Sequence, residues 1–380
     1  MIRTIAYLFF LTNLSLTAQE TYFPAAGMWE ERSPVNFNIK TAQLNDAIQF
    51  ARDNEYKGSS DLRQAILKGF ENEPYHEIMG PTKKRGGPAG MVIKNGYIVA
   101  KWGETKRVDM TFSVTKSFLS TIGLLALDHK LIASEKDPVV DYVWDHTFEG
   151  AHNSQITWEH LFNQSSDWRG QLWDSYDWGD RPPTSGNLDD WKNQKLNIPG
   201  TVFKYNDVRV NLLAYSLLQV WRKPLPTVLK EHVMDPINAS STWRWFGYDN
   251  AWVDIDGFKM QSVTGGGHSG GGLFINTEDM ARFGLLFMNN GNWNGNQLIA
   301  AASIEKAMEP SVPNTNYGYM WWLNGEEKRP WKNLPNNLFY AAGFGGNFII
   351  IDRKKDLVIV TRWLEPSQVE AFLTRIYSAL

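Results

Sequence analysis

Hydrophobic and polar positions along the chain predict strands near both ends and helices in between. Residues 42–54 carry apolar side chains at helical spacing, and residues 113–132 form the most apolar helical stretch. Residues 91–100 predict two short strands around Asn95-Gly96, a dipeptide that tolerates the positive φ angles of a two-residue turn. The first part of the chain therefore predicts a helix, a hairpin and a long buried helix.

The last part of the chain repeats this alternation. Residues 348–351 and 357–360 are β-rich runs joined by a charged stretch, which predicts a second hairpin. A helix from Thr277 precedes them, and an amphipathic helix that Ser367 would cap follows them. Strands from both ends of one chain favour a shared antiparallel sheet.

These elements predict an α+β fold with an antiparallel sheet flanked by helices. Residues 19–132 and 265–380 would form the lobe that holds the sheet. Residues 133–264, which are irregular and rich in Trp, Asp and Pro, would form a mostly helical lobe inserted between them.

The N-terminal 18 residues have the pattern of a secretory signal. Arg3 supplies a positive charge, residues 5–11 supply a short apolar stretch, and Ala18 is a small residue at the exit. The stretch is too short to span a bilayer, and the alternative is a hydrophobic N-terminal strand. We expect export to the periplasm or the extracellular space, with no membrane span in the mature protein.

The amino-acid composition limits the classes of partner that the protein is expected to bind. The net charge is −3, from 38 basic and 41 acidic side chains, and no basic run is present, so a nucleic-acid partner is not expected. The chain has no cysteine and no HExxH pair among its seven histidines, so we expect neither a metal nor another cofactor. The expected partner is a small molecule, and the oligomeric state stays open.

A first candidate for catalytic chemistry is the run Gly267-His268-Ser269-Gly270-Gly271, which matches the G-x-S-x-G nucleophile elbow. An elbow needs a hydrophobic strand before it and a catalytic histidine after it in the chain. A glycine run precedes this one, and no histidine follows it. We therefore interpret the run as a place where backbones approach closely.

The S-x-x-K pattern occurs twice, at Ser113–Lys116 and at Ser303–Lys306. Ser303 opens an ordinary charged helix and is interpreted as a helix cap. Ser113 stands at the start of the long apolar helix, where positions i and i+3 share one face. The helix dipole and burial would lower the pKa of Lys116 enough to make it a base, although a capping serine beside a solvated lysine has the same spacing.

Further motifs give this pattern a context. Residues 205–207 read Tyr-Asn-Asp before a helical run, and residues 340–347 carry a glycine-rich turn before a strand. Together with residues 156–161, 270–284 and 317–322, they resemble, in order, the serine β-lactamase and penicillin-binding-protein superfamily. The resemblance spans about residues 25 to 375 and is closest to class C β-lactamases, family VIII-type esterases and 6-aminohexanoate-oligomer hydrolases.

The resemblance implies a β-lactamase/transpeptidase-like fold with the site between two lobes. Ser113 would attack the substrate and form an acyl-enzyme, with Lys116 as base and Tyr205 as proton relay. The oxyanion would bind the backbone N–H groups of Ser113 and Phe344. The function implied is that of an exported serine hydrolase that cleaves esters or amides.

Two departures from the family pattern concern substrate binding. The Lys-Thr-Gly element falls at Ala341-Ala342-Gly343, where the lysine that helps to hold a substrate carboxylate is missing. Asp207 replaces the usual asparagine and adds negative charge. Ala341, Gly343 and Asp207 would therefore contact a substrate without an anionic group, and β-lactam turnover should be poor.

The chain contains 17 tryptophans, and four of them cluster at 168, 173, 178 and 191. Trp168 and Trp173 could line the groove as an apolar, substrate-binding wall, or they could be ordinary core residues. Two other functions stay open with the same fold. One is a D-amino-acid peptidase, penicillin-interacting protein or β-lactamase, and the other is a binding module that has lost turnover.

Overall fold

The structure is a computed structural model that describes residues 21–380. The predicted signal, residues 1–18, lies outside this range. Within residues 21–380, no helix has both the length and the apolar character needed to cross a bilayer.

The described residues form helices and strands in alternation. The helices are α1 Thr41–Asp53, α2 Leu62–Gly69, α3 Thr115–Asp128, α4 Trp158–Phe162, α5 Leu188–Lys192, α6 Asp207–Trp221, α7 Leu225–Leu229, α8 Thr277–Met288, α9 Ala301–Ala307 and α10 Val369–Ala379. The strands are β1 Ala89–Lys94, β2 Tyr97–Trp102, β3 Asp109–Met110, β4 Gln171–Leu172, β5 Ser175–Tyr176, β6 Arg244–Phe246, β7 Trp252–Ile255, β8 Phe258–Gln261, β9 Gly272–Ile275, β10 Asn292–Trp293, β11 Asn296–Gln297, β12 Trp322–Leu323, β13 Phe339–Gly343, β14 Asn347–Asp352 and β15 Leu357–Arg362.

A six-stranded antiparallel sheet contains both predicted hairpins. Its order is β12-β13-β14-β15-β1-β2, and β1 pairs with β15 from Ala89↔Arg362 to Lys94↔Leu357. The two ends of the chain therefore meet in the middle of the sheet. This arrangement confirms the α+β fold and the sheet shared by both ends.

Alternate side chains of the strands enter two separate cores. On one face, residues such as Ile93 and Val360 pack in the core that includes α3 and α8. On the other face, residues such as Val92 and Ile359 pack against α1 and α10. Because successive side chains of a strand point to opposite faces, strands covered by helices on both sides are apolar at every position.

At three predicted helix starts the structure differs from the prediction. Ser113 lies in a 3₁₀ turn, Phe112–Val114, and α3 begins only at Thr115. Ser367 lies in another 3₁₀ turn and caps nothing with its side chain. Ser303 lies inside α9, where its hydroxyl donates to Asp128 Oδ1 on the neighbouring helix at 2.5 Å. None of these three serines caps a helix with its side chain.

Residues 133–264 contain α4 to α7 and several short strands. Two of their hairpins, β4-β5 and β7-β8, are small separate ribbons, whereas β6 pairs with β9 from the later part of the chain. The division into lobes at residues 133 and 264 stays a prediction.

Candidate active site

Ser113 stands on a strained turn at the edge of a cavity. The residue before it, Phe112, has φ = 51°, a left-handed conformation that bulky residues rarely adopt. Such a conformation costs on the order of 1–3 kcal/mol and persists where the surroundings enforce it. Here Phe112 is buried against Phe344 and Trp363. The turn leaves the Ser113 side chain half-buried and facing the cavity.

Lys116 lies on the first turn of α3 and is almost completely buried, with 1% of the residue exposed. Its Nζ donates to Ser113 Oγ at 2.9 Å and to Asp207 Oδ1 at 2.5 Å. The i, i+3 spacing thus brings the amine and the hydroxyl together, as the sequence predicted. The short contact with a carboxylate was not predicted.

This carboxylate reverses the expected charge of Lys116. Burial alone would lower the pKa of Lys116, but the neighbouring Asp207 carboxylate and Tyr205 outweigh it and raise the pKa. Burial likewise disfavours a charged Asp207, yet Lys116 and Arg181 hold its pKa well below the ordinary value. The expectation of a lowered Lys116 pKa is therefore wrong, because the lysine is held as an ammonium ion.

The Tyr-Asn-Asp element is positioned by the start of α6. Asn206 caps this helix with its side chain, which accepts from the backbone N–H of Arg209 at 2.9 Å. The cap places Asp207 at the first position of the helix, and Tyr205 precedes the cap at the cavity wall. The Tyr205 ring stacks on Trp322, with centroids 5.8 Å apart, and Lys116 Nζ lies 4.8 Å from its centroid.

Four further charged side chains form a cluster with Asp207. Arg181 places Nη1 2.7 Å from Asp207 Oδ2 and also donates to Asp180 Oδ1 at 2.6 Å. His268 places Nδ1 3.5 Å from Asp207 Oδ2, and its Nε2 contacts Glu73 Oε2 at 2.6 Å. Carboxylates and cations alternate in this cluster, so each buried charge has an opposite charge beside it.

Glu73, Asp180 and His268 are close enough to hold a metal ion, because one ligand atom from each lies within 4.8 Å of the others. Protein groups already engage these atoms, however. Asp180 accepts from Arg181 and from the backbone N–H of Asp207, and His268 contacts Glu73. Adjacent cations would also repel a metal ion. The arrangement favours ion pairs over metal coordination.

The end of β13 packs directly on the nucleophile turn. A Cβ at Gly343 would overlap the backbone oxygen of Thr111, so only glycine permits this approach. The approach brings the residue after Gly343, Phe344, beside the turn, with its ring 5.0 Å from that of Phe112. Both Gly343 and Phe344 line the cavity with Ser113.

The two alanines of β13 face opposite sides. Ala341 is 1% exposed and packs in the core around α3 and α8, whereas Ala342 lines the cavity. The structure therefore does not bring Ala341 to the cavity, because neighbouring strand residues alternate between faces. Ala342 is the strand residue available to a substrate.

The cavity next to Ser113 has a volume of about 500 Å³ and is mainly apolar. The polar side chains that line it are Ser113, Arg181, Tyr205, Asp207 and His268. Its aromatic walls are Phe70, Phe112, Trp322, Trp331, Tyr340, Phe344 and Phe348. The size suits a small molecule with an apolar part.

The structure does not place Trp168 or Trp173 at this cavity. Trp168 is 2% exposed in the core, where its Nε1 donates to Thr147 O at 2.9 Å. Trp173 packs edge-on against Tyr215 of α6, with centroids 5.7 Å apart. The tryptophans that line the cavity are Trp322 and Trp331, near the C-terminal strands.

Sequence reasoning missed three charged residues at the site. Arg181 and Glu73 lie in irregular segments with no periodic signal, and His268 was considered only as part of the rejected elbow. The glycines around His268 do mark a close approach, since a Cβ at Gly270 would overlap the backbone of Gly80. The sequence signal for this location is therefore the glycine run itself, which is interpreted from the sequence as a close approach of backbones.

Comparisons with known proteins concern the family and the fold of this chain. A family model described as Beta-lactamase matches residues 75–363, which include Ser113, Lys116, Tyr205 and Asp207. A search of curated proteins finds no match to this chain.

Several solved structures share the fold at low sequence identity. A family VIII carboxylesterase has 17% identity and a TM-score of 0.57, covering 89% of this chain and 97% of its own. The hydrolase EstCE1, described with promiscuous acyltransferase activity, has 13% identity and a TM-score of 0.57, covering 89% and 98%. A penicillin-binding protein homolog from Caulobacter crescentus has 14% identity and a TM-score of 0.56, covering 84% and 97%.

Proposed function

The chain belongs to the Beta-lactamase family, whose fold is that of serine hydrolases, and from this premise we propose that it cleaves small esters or amides through an acyl-enzyme on Ser113. The observation that carries the proposal is the 2.9 Å hydrogen bond from Lys116 Nζ to Ser113 Oγ at the floor of an apolar cavity. A hydroxyl held by a buried cation, and open to a cavity on its other side, is placed to attack a bound carbonyl.

In the first step, Ser113 Oγ bonds to the substrate carbonyl carbon and loses its proton. Asp207 keeps Lys116 protonated, so the proposal assigns the proton relay to Tyr205, whose phenolic oxygen accepts the Ser113 proton while its own proton passes to the leaving group. The Lys116 ammonium stabilises the negative charge that develops nearby. In this proposal Lys116 is therefore a cationic partner of Tyr205, in place of the neutral base expected from the sequence.

The oxyanion of the tetrahedral intermediate would accept hydrogen bonds from the backbone N–H groups of Ser113 and Phe344. The packing of Gly343 on Thr111 supports this pair, because it brings the end of β13 against the nucleophile turn. Collapse of the intermediate breaks the bond to the leaving group, which takes the proton from Tyr205. Water then repeats the sequence in reverse and frees Ser113.

The cavity walls indicate the substrate class. Aromatic side chains line much of the cavity, and its one arginine, Arg181, is already paired with Asp180 and Asp207. No excess positive charge is left for a substrate carboxylate at this arginine. We therefore propose apolar esters or amides as substrates, ahead of β-lactams and D-alanyl peptides.

A hydrolysis panel tests the substrate class. It compares p-nitrophenyl esters, nitrocefin, D-amino-acid anilides and short ω-amino-acid oligomers on the wild type and on Ser113→Ala. We expect the esters to give the highest kcat/KM, and Ser113→Ala to lose about a thousandfold or more of that activity. A preference for D-amino-acid anilides would instead favour the peptidase alternative. Slow acylation with no turnover would favour the binding module.

Export is the remaining part of the proposal, and it rests on the positive, apolar and small-residue pattern of residues 1–18. Expression with the full N-terminus in a bacterial host, followed by mass analysis of the secreted or periplasmic fraction, tests it. We expect a mature chain that lacks about the first 18 residues. A full-length chain in the cytoplasm would contradict export.

A further inference from the structure

A buried row of charged side chains continues from Ser113, and two of its members, Asp207 and His268, line the same cavity as Ser113. Ser113 contacts Lys116 at 2.9 Å, Lys116 contacts Asp207 at 2.5 Å, and Asp207 lies 3.5 Å from His268. His268 then contacts Glu73 at 2.6 Å. The row therefore links the nucleophile, through three ionisable groups, to a carboxylate in the loop after α2.

His268 and Glu73 are shielded from solvent. Their side chains are 8% and 10% exposed. The Phe70 ring lies over the imidazole, with centroids 3.7 Å apart. A histidine that packs against an aromatic ring and bonds to a carboxylate cannot rotate freely. Its Nδ1 is consequently fixed toward Asp207 rather than toward water.

The charges around Asp207 indicate the role of His268. Asp207 stands where the resembling family usually carries a neutral asparagine, so this site holds one carboxylate more than the pattern requires. Its two oxygens meet cations from different directions, Lys116 at Oδ1 and Arg181 with His268 at Oδ2. The contact with His268 is too long for a strong hydrogen bond, so charge is the link, and that link needs a protonated imidazole.

Gly266 shows how closely Lys116 and Asp207 are packed. A Cβ at this position would overlap both Asp207 Oδ1 and Lys116 Nζ. Gly266 and His268 belong to the same glycine-rich segment, which therefore contacts the Lys116–Asp207 pair with its backbone at one point and its imidazole at another.

We propose that His268 and Glu73 are positioning residues for catalysis, which hold the Asp207 carboxylate so that Lys116 stays aligned with Ser113. This inference rests on the proposed Ser113 chemistry and adds residues that act on it through Asp207. The imidazolium and Arg181 hold the second oxygen of Asp207 from two sides, and Glu73 fixes the imidazolium. Asp207 can then place its first oxygen against Lys116 without turning.

The charged form of His268 has support from its surroundings. Burial would lower the pKa of His268, but Asp180, Asp207 and Glu73 outweigh it and raise the pKa to about 9. The imidazolium is thus present at neutral pH and is lost as the pH rises through about 9. The titratable and charged groups that surround it are Glu73, Tyr75, Tyr176, Asp180, Arg181, Asp207 and Tyr248.

The test is steady-state kinetics on an apolar p-nitrophenyl ester from pH 6 to 10, with His268→Gln, Glu73→Gln and the double variant. We expect each single variant to lose about tenfold in kcat at pH 7 while KM stays within about twofold. The wild type should lose activity above about pH 9, and His268→Gln should lack this alkaline limb. Because the two side chains act together, the double variant should cost no more than one single variant.

His160→Gln is the matched control. His160 is a half-buried histidine on α4 that borders a different cavity, so the same substitution there should leave the pH profile unchanged. Thermal unfolding of every variant separates loss of fold from loss of positioning. If His268→Gln does not fold, Glu73→Gln and its pH profile carry the test.

The results separate this inference from the proposed function. Wild-type kcat and an unchanged alkaline limb in folded His268→Gln and Glu73→Gln would overturn the positioning role, even if Ser113→Ala is inactive. Activity that EDTA removes and Zn²⁺ restores would also overturn it, because the cluster would then be a metal site. Full activity in Ser113→Ala would overturn the proposed function itself.

Discussion

A single residue, Asp207, sets the charge of the candidate site. The sequence placed Asp207 near the substrate, but the structure places its Oδ1 2.5 Å from Lys116 Nζ. A neutral asparagine could accept the same hydrogen bond without holding a proton on the lysine. In the proposed mechanism the carboxylate keeps Lys116 cationic, so the proton relay falls to Tyr205.

Tyr205→Phe tests that assignment at the residue scale. The variant keeps the ring that stacks on Trp322 but loses the phenolic oxygen. We expect kcat to fall by about a hundredfold or more, the usual range for loss of a general acid or base, with KM nearly unchanged. Tyr377→Phe is the control, since its hydroxyl bonds to Asp352 beside α10. Wild-type kcat in Tyr205→Phe would exclude the tyrosine as proton carrier.

Gly266→Ala tests how tightly the ion pair is packed. The added methyl group would occupy the space of Asp207 Oδ1 and Lys116 Nζ, so the pair must separate. Kinetics with the ester substrate should show a loss of about tenfold or more in kcat, because the partner of Ser113 is displaced. Gly87→Ala, which has open space around its Cα and no positive φ, is the control for introducing alanine at a glycine. Equal activity in both variants would contradict the close packing.

At the scale of elements, strand β13 separates substrate-facing from core-facing positions. Ala342→Thr should fold normally and change KM, because position 342 lines the cavity. Ala341→Thr should lower stability by about 1–3 kcal/mol, because it adds volume and a hydroxyl to a packed core. Denaturant unfolding and ester kinetics on both variants measure the difference. The opposite assignment of effects would mean that the strand register is shifted.

Elements with local signals were predictable from the sequence, and those fixed by tertiary contacts were not. Asn95-Gly96 and the apolar runs of residues 348–360 identified both hairpins, because turn chemistry and alternation are local. The 3₁₀ turn that carries Ser113 depends on the packing of Gly343 against Thr111, which no local pattern encodes.

The same distinction holds for the site residues. S-x-x-K spacing brought Ser113 and Lys116 together correctly, because one helical turn fixes that distance. The partners of Asp207 come from residues 181 and 268, and only the fold brings them together. From the sequence, the tryptophans of the cavity are expected near residue 170. In the structure they are Trp322 and Trp331, whose distance in sequence from the catalytic motifs gave no sign of this contact.

At the scale of the whole molecule, α10 closes the core between the sheet and α1. Phe372 is fully buried there and packs edge-on against Trp102 of β2. We expect Phe372→Ala to destabilise the fold by about 3–5 kcal/mol, because it leaves a large cavity in a packed core. Thermal unfolding measures this loss of stability. Unaltered stability would mean that α10 is not part of the core.

Stability should also depend on pH through the buried charge cluster. The pKa of His268 is raised to about 9 in the folded chain, against about 6.5 in the unfolded chain. The stabilisation is therefore complete below about pH 6.5 and is lost as the pH rises through about 9. The melting temperature of the wild type should fall across this window more than that of His268→Gln. Parallel curves for the two proteins would contradict a buried imidazolium.

The most direct test of the account is the site at which a covalent probe attaches. A fluorophosphonate with an apolar chain should add to the wild-type protein once, and mass spectrometry of its peptides should locate the adduct on Ser113. Ser113→Ala should remain unlabelled under the same conditions, while Ser269→Ala should label like the wild type. An adduct on Ser269, or undiminished labelling of Ser113→Ala, would contradict the account.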